Sequence, residues 1–159
     1  MEERLKALET AQQFYAAFAK ADANEMLKHY GSEIIFSDPV FGILKGEQAF
    51  AMWRMLVRPG IDIQAKEPEF ADNKVIVNWR ATYIYSPTGR KVVNHVKAQM
   101  TIRDGKIIAH HDTFSLWRWS AQALGLSGYF LGWTSVVKRK ISSMANANLR
   151  KFMEKQKEV

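Results

Sequence analysis

With 159 residues, 47% of them hydrophobic and 25% charged, the chain has the size and make-up of one ordinary globular domain. It has no cysteine, which excludes disulfides and thiolate chemistry, and no apolar run near the roughly 20 residues needed to span a bilayer. The net charge of +7 is uneven: residues 132–159 carry seven basic and two acidic residues, whereas residues 1–131 carry 16 basic and 14 acidic.

Met1-Glu2-Glu3-Arg4 starts a charged helix rather than a signal peptide, so a cytoplasmic protein is expected. Leu5, Leu8, Ala11, Phe14, Tyr15 and Phe18 recur at helical spacing and predict an amphipathic helix over 3–20. Asp22-Ala23-Asn24-Glu25 fits a capping pattern for a second short helix, which runs to Tyr30 and stops at Gly31. Glu33–Ser37 reads as a strand ended by Pro39, and Gly46–Val57 as a third helix broken by Pro59-Gly60. Alternating patterns then follow at 61–65, 75–85, 91–102 and 106–114. They are separated by the turn sequences Ala71-Asp72-Asn73, Ser86-Pro87-Thr88-Gly89 and Arg103-Asp104-Gly105. Four strands on short turns make an antiparallel meander. Helices before it and a helical tail after Trp117 predict an α+β fold whose bent sheet and helices enclose a cavity.

Phe14-Tyr15-Ala16-Ala17-Phe18, Tyr30 and Phe36-Ser37-Asp38-Pro39-Val40-Phe41-Gly42 resemble the ketosteroid isomerase family, in which the matching Asp is a general base. Gly105-Lys106-Ile107-Ile108-Ala109-His110-His111-Asp112-Thr113-Phe114 is similar to the last strand of limonene epoxide hydrolases and SnoaL-like polyketide cyclases, where the matching Asp is an acid/base group. The resemblance covers roughly residues 5–125. It implies a nuclear-transport-factor-2-like, cystatin-like cone over 1–125 with a helical extension over 126–159, and a homodimer. The match is mixed. The isomerase's oxyanion donors correspond to Phe14 and Ala98, which cannot donate. The hydrolase's Arg-x-Asp corresponds to Arg80 and Thr82, so one carboxylate is replaced.

The residues lead to the same candidates. Asp38 before Pro39 reads either as a turn cap or as a base facing an apolar pocket. Asp112 lies in an apolar strand, and alternation puts Ile108, His110, Asp112 and Phe114 on one face. A buried carboxylate needs a partner, for which Arg80 is the candidate, in a catalytic or a purely structural pair. His110 is the candidate proton relay. Phe14, Phe36, Trp53, Thr82, Phe114 and Trp117 are the expected substrate contacts. Adjacent His110 and His111 face opposite ways, which argues against a metal. His95 and Lys97 fall on the outer face.

The expected function is therefore cofactor-free isomerisation, cyclisation or hydrolysis of a small, mostly apolar carbonyl or epoxide compound. The rival is a non-catalytic ligand-binding or dimerisation module of the same fold. Residues 116–125 read as a helix, and 126–133 are apolar and glycine-punctuated, as in a hinged lid, a packed extension or a dimer contact. The near-neutral body argues against nucleic acid. The basic tail raises membrane contact, against which packing on the protein's own surface is preferred.

Overall fold

The computed structural model describes residues 1–159. The first apolar stripe becomes helix α1 (Glu2–Ala19), which buries Ala7, Ala11, Phe14, Tyr15 and Phe18. Asp22 caps the short helix α2 (Ala23–Leu27) by accepting from the Glu25 amide at 3.0 Å. Strand β1 (Tyr30–Asp38) follows, then β2 (Gly42–Lys45) and helix α3 (Glu47–Leu56). The strands β3 (Asp62–Ala65), β4 (Glu69–Ala71), β5 (Lys74–Tyr85), β6 (Arg90–Arg103) and β7 (Lys106–Thr113) come next. Helices α4 (Leu116–Leu124), α5 (Leu126–Leu131) and α6 (Ser135–Lys157) complete the chain.

Strand order is β2-β1-β7-β6-β5-β3, with β4 also pairing with β5. The meander β5-β6-β7 is antiparallel as read, but β1 joins β7 in parallel, so the sheet is mixed. Two hairpins use left-handed residues at both central positions, Asp72-Asn73 and Asp104-Gly105, the backbone that matches strand twist. Tyr30 begins β1 rather than ending a helix. Its ring stacks on Phe14 at 5.3 Å and 16°, and this burial outweighs the stop expected at Gly31. The short strands β2 and β4 carry too few residues to show a period of two, and neither is legible in the sequence.

Val75, Val77, Ala81, Ala98, Met100 and Ile107 turn inward, are buried and share one core with the apolar residues of α1, and Val92 and Val96 on the same face of β6 are buried as well. The intervening residues of β5, among them Asn78, Arg80 and Thr82, line the other face. β7 ends beside Lys97, leaving the rest of β6 with one open edge. The Gln122 side chain of α4 fills that edge, accepting from the Val93 amide (2.8 Å) and donating to its carbonyl (3.1 Å).

The C-terminal apolar stripe divides. Leu149 is buried, and Ala145, Phe152 and Met153 pack on the core, with α6 lying against α3. Leu126, Phe130, Trp133, Val136 and Met144 stay exposed.

Candidate active site

Parallel pairing of β1 with β7 sets Phe36 beside His110 and Ser37 beside His111. The next residue on each strand is a carboxylate, Asp38 and Asp112. Because Phe36 and His110 are buried, alternation turns both carboxylates inward on neighbouring strands. His111 goes the other way and bonds Ser37 Oγ at 2.6 Å.

Asp112 is 3% exposed and His110 1%. Their partners form one chain of hydrogen bonds. Trp53 Nε1 can only donate, and it donates to Tyr30 Oη at 2.8 Å. Tyr30 therefore turns its own proton to His110 Nδ1, 2.7 Å away. That leaves the imidazole proton on Nε2, which donates to Asp112 Oδ1 at 2.9 Å. An aromatic box fixes the ring: Trp53 stacks on it at 6.0 Å and 24°, while Phe14 and Phe36 meet it edge-on at 5.7 and 5.2 Å. Burial, with Asp112 nearby, pushes the Tyr30 hydroxyl well above its usual range, so it stays protonated and can donate.

Asp38 closes β1 and holds the next turn: its Oδ1 accepts from the amides of Val40 (2.9 Å) and Phe41 (2.6 Å). Burial raises its carboxyl from 3.8 to about 6. The Phe41 amide opposes that rise, Asp112 adds to it, and the Val40 amide and His110 oppose it. The turn is clamped from outside, where Asn146 of α6 donates to the Phe41 carbonyl at 3.3 Å.

Arg80 Nε on the outer face lies buried without a partner, and so do two donors on the inner face, Tyr15 Oη and Trp79 Nε1. Their rings are 6.0 Å apart, and burial followed by the charge of Asp112 pushes the Tyr15 hydroxyl well up. A buried donor without an acceptor asks for an explanation, and an oxygen of a ligand is one.

The fold thus brings together Asp38, Asp112, His110, Phe14, Phe36 and Trp53. The other four expected members stand elsewhere. The Arg80–Asp112 pair does not form: Arg80 is paired in register with His95 on the other face of the sheet, and its Nη2 donates to Gln64 at 2.6 Å. It lines an outer groove of about 510 Å³ with Lys66, Asn78, His95, Lys97 and Thr113. Thr82 shares that face and pairs with Val93. Trp117 belongs to the α4–α5 hairpin, donating to the Tyr129 carbonyl at 3.0 Å. Phe114 is half-buried just past the end of β7. Tyr30, Tyr15 and Trp79 are additions to the expected set. Tyr15 and Trp79 sit on the apolar periodicities of α1 and β5, where a polar ring tip was the available clue.

The SnoaL-like domain family matches residues 11–110 of this sequence. The chain belongs to that family. The match stops two residues before Asp112. No curated protein matches the sequence. Among solved structures, a candidate isomerase from Bacillus subtilis superposes with a TM-score of 0.65 at 18% identity, over 79% of this chain and 96% of that one. An LEH-like epoxide hydrolase from M. tuberculosis gives 0.64 at 17% identity, over 82% and 98%. A candidate polyketide cyclase from Xanthomonas campestris gives 0.63 at 22% identity, over 75% and 97%. These likenesses establish the nuclear-transport-factor-2-like fold, which other neighbours of unknown function share. No helix of this SnoaL-like chain is long and apolar enough to cross a membrane.

Proposed function

We propose that this SnoaL-like protein catalyses proton transfer on a small, mostly apolar compound bearing a carbonyl or an epoxide, with Asp38 as the general base. One observation carries the reading: two inward carboxylates side by side on β1 and β7, one of them backed by the buried Trp53–Tyr30–His110 chain. A carboxyl near 6 is ionised at neutral pH yet remains basic enough to take a proton from a weak carbon acid or from water. In isomerisation or cyclisation Asp38 gives the same proton back at another atom of the compound, and in hydrolysis Asp112 holds the water that Asp38 deprotonates, with His110 as the positioning residue of Asp112. Tyr15 and Trp79 donate to the oxygen on which charge develops, a role that Phe14 and Ala98 cannot fill. Isomerisation, cyclisation and hydrolysis share this proton step, which uses only groups of the chain.

The second reading is a binding or dimerisation module. It is favoured by the tight aromatic packing around His110, and neither the groove on the outer sheet face nor the one beside Glu2 and Asp104 is lined by either carboxylate. On the enzyme reading a substrate enters when α6 lifts from the Asp38 turn, releasing the Asn146–Phe41 contact.

The test combines a thermal-shift screen of apolar enones and epoxides with NMR detection of substrate deuteration or of diol. Turnover that disappears in both Asp38→Asn and Asp112→Asn supports the enzyme. A tight ligand that is released unchanged, or turnover indifferent to both substitutions, overturns it.

A further inference from the structure

The α4–α5–α6 segment has a composition unlike the rest of the chain. Residues 113–153 contain no Asp or Glu and six basic residues: Arg118, Lys138, Arg139, Lys140, Arg150 and Lys151. Within it, Leu126, Tyr129, Phe130, Leu131, Trp133 and Val136 are all exposed, Phe130 at 63% and Trp133 at 68%. Isolated exposed apolar residues are normal, but six within eleven positions form a patch that asks for a partner.

The patch is held in place rather than left loose. Gly128 and Gly132 let α5 lie directly on α4. A Cβ at Gly128 would fall 1.9 Å from the Ser120 carbonyl oxygen, and one at Gly132 2.7 Å from Ser120 Cβ. Trp117 donates to the Tyr129 carbonyl, Trp133 to that of Phe130 (2.8 Å), and Thr134 caps α6 by accepting from Val137. With the small residues facing the protein, the aromatic ones face out. The exposed side then runs on along α6 through Val136, Lys140 and Met144, spaced four residues apart. Lys138, Arg139 and Lys140 are exposed and form no ion pair.

We infer that this face docks on the surface of an anionic lipid bilayer, with the α5 aromatics at headgroup depth and Arg139 and Lys140, on the Val136–Met144 side of α6, on the lipid charges. Aromatic rings with polar tips suit that depth, and lysine stems reach from an apolar contact to the headgroups. Charge selects this occupant over a second copy of the chain. A two-fold contact on this patch would bring one acid-free basic segment against another.

Flotation with vesicles of phosphatidylcholine alone and of phosphatidylcholine with roughly 30% phosphatidylglycerol tests the inference on the full chain. Binding to the anionic vesicles alone, falling as salt rises, is expected. The double variant Arg139→Ala, Lys140→Ala should bind roughly thirtyfold more weakly. The pair Phe130→Ser and Trp133→Ser should lose about tenfold or more. Circular dichroism and melting temperature should be unchanged in both. No flotation with anionic vesicles overturns the inference, as does binding that survives both variants. So does a dimer in light scattering that the Phe130→Ser, Trp133→Ser variant turns to monomer, since the patch would then be a self-interface.

Discussion

Asp38 and Asp112 end one row of the sheet on adjacent strands, yet the chain treats them differently. Asp38 sits at a turn, takes two backbone amides on one oxygen and keeps a carboxyl near 6. Asp112 lies deep, and the side-chain partner of its Oδ1 is His110, which is itself fixed by Tyr30 and Trp53. The difference shows how two identical side chains acquire different tasks: local turn chemistry holds one, and a long-range relay holds the other. It also sets the ways in which the pair can be separated.

The largest separation is expected in rate. Asp38→Asn keeps an acceptor for the Val40 and Phe41 amides but removes the base. Turnover on a substrate found by the thermal-shift screen should fall ~10²–10⁴-fold. In the native protein the rate should rise with pH through about 6, because the base works in its ionised form. A pH profile flat between 5 and 7 would detach Asp38 from the chemistry.

Tyr30→Phe attacks the other member. It leaves Trp53 Nε1 without an acceptor and His110 Nδ1 without a donor, and should lower stability by about 1–3 kcal/mol in urea unfolding. The midpoint of the pH–rate profile should stay where it is, since Asp38 is not part of that chain. A shifted midpoint would merge the two sites into one.

A smaller effect is expected on the stability of Asp38→Asn. Folding raises this carboxyl from 3.8 to about 6. Between those values the folded state holds more proton than the unfolded state, so the native protein loses stability as pH rises through that window. Asp38→Asn removes the loss and should be more stable by about 1–2 kcal/mol above pH 6, with the gain vanishing below pH 4. Urea midpoints measured at both ends decide it. A variant that is less stable at pH 8 would make Asp38 a structural cap only.

The smallest effect is expected from Asn146→Ala. Without its bond to the Phe41 carbonyl, α6 covers the Asp38 turn less tightly. The Asp38 carboxyl should move down towards its ordinary range in a carboxyl-carbon NMR titration. No movement would remove α6 from the description of the site.

Several of these features were legible residue by residue. The capping role of Asp38 follows from Asp-Pro and a short turn, and the amides of Val40 and Phe41 are on it. Alternation along a strand places His110 and Asp112 together, and His111 faces away. Arg80 shows where that reasoning stops. Alternation correctly grouped it with Asn78 and Thr82 but could not tell on which side of the sheet the group lies. The register Arg80↔His95 and Val77↔Ala98↔Asp112 decides that. Tyr30 was obscured because its partners are Trp53, 23 positions on, and His110, 80 positions on.

What the amino-acid order determined by itself was local: the stripe of α1, the four long strands, the Asp72-Asn73 and Asp104-Gly105 hairpins, and the capping of short turns. Each depends on sterics and periodicity within a few residues. Only the tertiary structure decided which face of each strand looks inward, that β1 runs parallel to β7, and which apolar residues of the tail reach the core. Those outcomes depend on contacts between positions far apart in the chain, where a shift of one residue turns every side chain to the opposite face.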